Sequence, residues 1–343
     1  MTPGRGGRDG QEPDLPRRSG IQPIGVPPDI FVPSREPDNI LASFGLPTLN
    51  AMASNPKATA FRRAYLRGAV DGRPHQYMPA LAMADLAPDG AVIPLAAPTA
   101  QPAQKSVNWS GGYLMPRDGH SFASVMADWT VPTVSVPPGG TEPEYRSSTW
   151  IGLDGQRSYL DSSLPQIGTR QRCTTGSGAT AEYGAWFQWW ARGQVTEEEP
   201  LALPVAPGEV ISAIITVFDE TSVVCNLRNV TRDITLEAFK AFAPGPCRIS
   251  GATAEWIMER PSPPKSDGWE AYELPVYTPF AFTACIAESQ APGSTALYDR
   301  DLEGSRLIRM YAIDTKPTRI RTISTVRRVI KPAQKLELAY FAP

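Results

Sequence analysis

The segment ATAEWIME carries two carboxylates four residues apart, Glu255 and Glu259. Read as a strand, its alternation places Thr253, Glu255, Ile257 and Glu259 on one face and Ala254, Trp256 and Met258 on the other. A carboxylate between Thr and Ile on a half-buried face is costly unless it has a partner or a task. Burial would raise its pKa and let it accept and return a proton under acid conditions. From spacing alone, a carboxylate at a solvated sheet edge is the plainer reading. The pair also tests a glycosidase. Four residues along a strand span roughly 13 Å at about 3.3 Å per residue. Glycosidase carboxyls stand roughly 5–9.5 Å apart, so this pair is too distant.

The second cluster is AEYGAWFQWWA, in which alternation sets Trp186, Gln188 and Trp190 on one face. An amide between two indoles suits a groove that binds an extended peptide or a sugar. Ordinary core packing suits it equally.

Other chemistries lack their parts. A serine triad needs a histidine to take the serine proton. Of the two histidines only His120 lies beyond residue 105, and no GxSxG turn occurs. Paired-aspartate proteolysis would want Asp-Ser/Thr-Gly turns, and Asp154-Gly155 and Asp267-Gly268 lack the hydroxyl residue. The four cysteines (Cys173, Cys225, Cys247, Cys285) form no CxxC pair, so a zinc site is not expected. One or two disulfides, or four buried thiols, both fit. Phosphate-cradling glycine loops are absent. Carboxylate chemistry remains for hydrolysis, with no metal and no organic cofactor required.

The elements that must position these residues are strands. From residue 105 onward, short runs rich in Val, Ile, Thr and aromatics alternate with Pro/Gly clusters, which suggests an antiparallel sandwich or barrel. Residues 1–104 differ: they hold 16 prolines, no tryptophan and no cysteine, whereas all eight tryptophans fall between Trp109 and Trp269. A boundary near 105 follows. The first 39 residues read as disordered or extended linker, and 86–104 as a tether. Between them NPKATAFRRAYLRGAV suits one short helix, with Asn55 as cap and Pro56 in its first turn.

The net charge of -2 implies neither a nucleic-acid nor a membrane partner. Residues 105–299 carry 13 basic and 22 acidic side chains, and such an acidic body suits work at low pH. No run of about 18 apolar residues exists to cross a membrane. The N-terminus lacks an apolar signal-peptide region, and the segment behind Arg17-Arg18 is interrupted by prolines.

Taken in order, these segments resemble the glutamic peptidases (the eqolisins, peptidase family G1). The matching stretches are NWSGG at 108–112, FASVMADWTVP at 122–132, STWIGLDG at 148–155, LPQIGT at 164–169, AEYGAWFQWWA at 181–191 and AEWIMERP at 254–261. The run from RLIRMYAI through KLELAYF resembles the closing strands of that fold, so the likeness covers nearly all of 105–343. It implies an all-β, concanavalin-like β-sandwich of two large antiparallel sheets and an acid-acting endopeptidase with a glutamine–glutamate dyad. By motif the dyad is Gln166 and Glu255, with Trp109, Trp150, Asp154, Trp186, Gln188 and Trp190 as groove walls or supporting residues. The family more often has glutamate where Gln188 stands and tyrosine where Trp190 stands. The resemblance further implies a monomer acting on proteins or peptides outside the cell, although no export signal is visible. By position, residues 1–104 correspond to a prosegment, expected to cover the groove and be removed in acid. The competing functions are a lectin-like sandwich that binds carbohydrate or peptide without cleaving it, and a glycoside hydrolase with a second carboxylate close to Glu255.

Overall fold

The computed structural model describes residues 20–50, 54–68, 72–81, 101–156, 163–176, 179–194, 196–262, 271–315, 318–331 and 334–341. Residues 1–19 of the expected linker and 86–100 of the expected tether lie outside them. Among the described residues no helix is long and apolar enough to cross a membrane.

The N-terminal part supplies strand β1 (Ile21–Pro23), helices α1 (Asp38–Ser43) and α2 (Pro56–Arg67), and strand β2 (Gln76–Met78). The body follows with β3 (Trp109–Leu114), β4 (Ser121–Thr130), β5 (Glu144–Leu153), β6 (Ser163–Thr174) and β7 (Ala181–Ala191). It continues through β8 (Val210–Asp219), β9 (Ser222–Asn229), β10 (Phe239–Phe242), β11 (Ala254–Glu259), β12 (Phe280–Gln290) and β13 (Arg306–Thr315).

These strands form a β-sandwich. The front sheet runs β7–β6–β5–β11–β3–β13, every neighbouring pair antiparallel. The back sheet runs β10–β9–β8–β4–β12, also antiparallel. Thr318–Val329 and Lys335–Tyr340 link β13 to β12, so the ladder curls continuously from one sheet to the other. Between the sheets lie Val125, Ala127 and Trp129 from β4 and Ile151, Ile167, Phe187, Trp256 and Met258 from the front strands. Two of the buried indoles find acceptors: Trp129 Nε1 donates to Thr169 Oγ1 at 3.2 Å and Trp256 Nε1 to the Met126 carbonyl at 3.1 Å. All four cysteines are buried thiols outside any disulfide, the second of the two expected alternatives.

Glycine in the NWSGG motif is a steric demand. Gly111 has φ +150°, and a Cβ there would lie 2.1 Å from the backbone oxygen of Trp256 on β11. That contact is with main chain, so no rotamer change relieves it. Gly111→Ala is expected to destabilise the fold by about 3 kcal/mol, read as a lower urea midpoint at unchanged slope. An unchanged midpoint would mean that β3 and β11 are less tightly apposed.

The N-terminal part departs from expectation in two ways. Residues 20–39 are not linker: Ile21 and Phe31 are buried, and β1 adds to the β10 edge. The expected helix is present as α2, preceded by Asn55. The described segment also does not cover the face that carries Glu255. Phe31, Leu41, Leu46, Phe61 and Leu66 pack on Met126, Ile214 and Ile286, the outward-pointing residues of the back sheet. These side chains alternate with the sandwich core along β4 and β8, so the back sheet is apolar on both faces and must be covered. At the centre of this interface Glu288 on β12, 0% exposed, accepts from both terminal nitrogens of Arg62, from Asn55 Nδ2 at 3.0 Å and from Ser124 Oγ at 2.6 Å. Asn55 therefore makes no side-chain cap bond at α2.

Candidate active site

The outward face of the front sheet is a grid fixed by strand register. In one row stand Glu255 on β11, Gly152 on β5, Gln166 on β6 and Gln188 on β7. The next row holds Ile257, Trp150, Gly168 and Trp186. The third holds Glu259, Ser148, Arg170 and Gly184. Glu255 and Gln166 are thus two strands apart, roughly 10 Å between Cα atoms at about 4.8 Å per strand. Gly152 lies between them, and the side chains of Leu164 and Trp150 close over it: a Cβ there would lie 2.7 Å from Leu164 Cδ1 and 3.0 Å from Trp150 Cζ3.

Alternation along β11 is as expected. Ala254, Trp256 and Met258 enter the sandwich core, while Ile257 joins Tyr113, Trp150, Leu164, Trp186 and Ile308 in a separate cluster on the grid side. Trp186 is therefore on the grid side, with Phe187 and Trp189 in the core. Trp190, 36% exposed, stands at the rim. Tyr113, opposite Glu255 on β3, and Leu164 also belong to this face, although no motif singles them out. The alternation in NWSGGYL would have aligned Tyr113 with Trp109.

Glu255 is 0% exposed, and among the described residues neither carboxyl oxygen has a hydrogen-bond partner. Burial pushes its pKa up to about 8, and the charge of Asp154 adds to this. The Thr253 hydroxyl and the Gly155 and Gln156 amides approach closely enough to oppose the shift, without reaching hydrogen-bonding geometry. Gln166, 4% exposed, donates Nε2–H to Gln188 Oε1 at 3.0 Å, and its own Oε1 has no partner among the described residues. Glu255 and Gln166 thus share one sheet face, each buried with an oxygen that has no partner among the described residues.

The supporting residues take separate positions. Trp150 is fully buried and packs edge-on against Trp109, ring centroids 5.1 Å apart. Its Nε1 donates to Glu259 Oε2 at 2.8 Å. Burial raises the Glu259 pKa to about 7 against the pull of the Trp109 and Trp150 N–H groups. Asp154, at φ +71°, has both oxygens engaged by Ser250 Oγ and by the backbone N–H groups of Ser250, Gly251 and Ala252. It pins the loop that feeds β11 and has no free oxygen to serve as a second glycosidase carboxylate. Among the described residues no group of three or more His, Cys, Asp or Glu is gathered as a metal site would need.

Known proteins bear on this arrangement. The sequence profile of the Peptidase A4 family matches residues 107–327, close to two thirds of the chain. A solved structure of scytalido-glutamic peptidase with a transition-state analogue inhibitor is similar at TM-score 0.52 and 19% identity. The likeness covers 68% of this chain and 98% of that one. A second structure of that peptidase, with a peptide-based transition-state analogue, gives 0.50 and 20% over the same shares. SCP-B, an eqolisin solved with the tripeptide Ala-Ile-His, gives 0.50 and 19%, again over 68% and 98%. No curated protein sequence matches. These likenesses are to the fold, and the profile match is to the sequence itself. The chain belongs to the Peptidase A4 family, the glutamic peptidases or eqolisins.

Proposed function

We propose that this chain is an acid-acting endopeptidase in which Glu255 moves the protons and Gln166 stabilises the oxyanion. The observation that carries the reading is the shared row: Glu255 and Gln166 on one sheet face, separated only by Gly152, each buried with an unpartnered oxygen. Ionised Glu255 takes a proton from a water as the water oxygen bonds to the scissile carbonyl carbon. The carbonyl π pair moves onto its oxygen, where an N–H of Gln166 receives it. The C–N bond then breaks, and protonated Glu255 delivers its proton to the departing nitrogen.

The raised pKa sharpens this. Buried as it stands, the carboxyl is pushed up to about 8, and a base at that value would work near neutrality. Acid activity requires donors that favour the carboxylate. A water and the amides of a bound substrate supply them, with the Thr253 hydroxyl and the two backbone amides already beside it.

Two further assignments belong to the same reading. Residues 1–104 form an N-terminal segment distinct from a catalytic sandwich at 105–343, supported by a profile match that begins at 107. The protein acts on protein or peptide substrates as a monomer outside the cell, in keeping with its family.

The test is cleavage of a denatured protein between about pH 2 and 9 by the parent, Glu255→Ala and Gln166→Ala. Loss of one oxyanion donor should lower kcat by roughly 10²–10³-fold, and loss of Glu255 should abolish turnover. A parent that cleaves nothing, or a Glu255→Ala enzyme that still cleaves, ends this reading. A limb near pH 8 would keep the dyad and make the enzyme a neutral peptidase.

A further inference from the structure

Gln166 has to present its amide the right way round, and an amide can flip. Two hydrogen bonds in series decide the matter. Gln188 Nε2 donates to the Thr196 carbonyl at 2.8 Å, and Gln166 Nε2 donates to Gln188 Oε1 at 3.0 Å. A backbone carbonyl only accepts, so the end of Gln188 that faces Thr196 must be its NH2. The other end is then an acceptor, and Gln166 must offer it an N–H. Flipping Gln166 would set two carbonyl oxygens against each other. Flipping Gln188 as well would set its oxygen against Thr196. Gln166 Oε1 is consequently turned away from Gln188, and it is the oxygen left buried without a partner among the described residues.

We infer that Gln188 is a positioning residue: it takes its polarity from the Thr196 carbonyl and passes it to Gln166. One Nε2 hydrogen of Gln166 is held, the second is left for the oxyanion, and Oε1 is left to accept a proton-bearing group such as the attacking water. The inference rests on the dyad reading and deepens it. An amide does not titrate, so the orientation it imposes is the same at every pH of interest.

Two substitutions separate this role from packing. A protonated glutamic acid at 188 reproduces the relay, its O–H donating to Thr196 and its C=O accepting from Gln166. An ionised one has no proton for Thr196 and sets negative charge against that carbonyl. Gln188→Glu should therefore match the parent in acid and lose kcat as pH rises through the new carboxyl's pKa, with KM changing less than kcat. Gln188→Leu cannot relay in either state and should lose roughly 10²-fold in kcat at every pH.

The measurement is kcat and KM of the full chain on a peptide substrate across the acid to neutral range, with the thermal midpoint of each variant at the same pH values. A Gln188→Glu profile of the same shape as the parent's would overturn the inference, as would a midpoint that falls in step with activity. Glu255→Ala run alongside separates the two levels. If it cleaves, the peptidase reading itself has failed. If it does not while Gln188→Glu tracks the parent, only the positioning role has failed.

Discussion

Arg62→Ala is expected to destabilise the protein by about 3–5 kcal/mol, the usual consequence of leaving one half of a buried ion pair behind. Glu288 is 0% exposed on the outer face of the back sheet, and the Arg62 guanidinium meets both of its oxygens. Burial opposes ionisation, yet Arg62, Ser124 and Asn55 together hold the Glu288 carboxyl below its usual range. Without Arg62 the charge keeps two neutral donors and no counter-ion. Trimming the chain near residue 105 goes further. It removes both N-terminal donors and uncovers Met126, Ile214 and Ile286, so the trimmed chain should fail to fold or should aggregate. Urea denaturation followed by tryptophan fluorescence reports on the body, because every tryptophan lies beyond residue 105. The double variant Arg62→Met, Glu288→Gln should regain most of the loss. An Arg62→Ala midpoint equal to the parent's, or a stable active chain beginning at 105, would show that the segment is dispensable once folding is complete.

The second large effect is a stability that declines as pH rises. Glu255 and Glu259 have folded pKa values of about 8 and about 7, above the usual 4.5. The unfolded chain therefore releases these protons first, and each group removes about 1.4 kcal/mol per pH unit between its unfolded and folded pKa. His75 works in the opposite sense. Burial, and then Arg228, lower its pKa to about 4 from 6.5, so the unfolded state binds the extra proton between those values and stability rises with pH there. The stabilisation from Glu288 is present above its unfolded pKa and lost only as pH falls through its lowered folded value. Between about pH 5 and 6.5 the falling contributions of Glu255 and Glu259 outweigh the rise from His75, and Asp128, Glu199 and Asp299, whose pKa values burial also raises, add to the fall. Glu255→Gln with Glu259→Gln should flatten the slope. Denaturation midpoints of parent and double variant at three pH values decide it. Parallel curves would mean that the two carboxyls are hydrated in solution.

Local alternation made much of the site legible in the sequence. ATAEWIME divides its faces as its period demands, because which side of a strand a residue takes depends on its immediate neighbours alone. How far Gln166 lies from Glu255 is a different kind of fact. It depends on Gly152 pairing with both strands, a register set by the whole front sheet. Arg62 is hidden for a similar reason. On α2 it reads as one of several solvated arginines, and its partner lies 226 residues further on. Phe280–Gln290 shows no clean alternation because its pairing with β4 shifts between Thr283 and Ile286, where Ala284 adopts φ +49°. The resemblance to a family carried Gln166 and Glu255, and it placed the N-terminal segment by position only. Position says nothing about which face such a segment covers, and two faces of this sandwich were apolar enough to need a neighbour.

The row that runs across β11, β5, β6 and β7 decides how an ensemble of these molecules behaves. Side chains on a strand have only two directions, so a slip of one residue between β5 and β6 would turn Gln166 inward and bring Pro165 or Ile167 to the face that carries Glu255. No slightly misregistered molecule is slightly active. Specific activity of a refolded sample would therefore count correctly threaded molecules one by one, an all-or-none tally of folding fidelity that spectroscopic signals averaged over the sample do not provide.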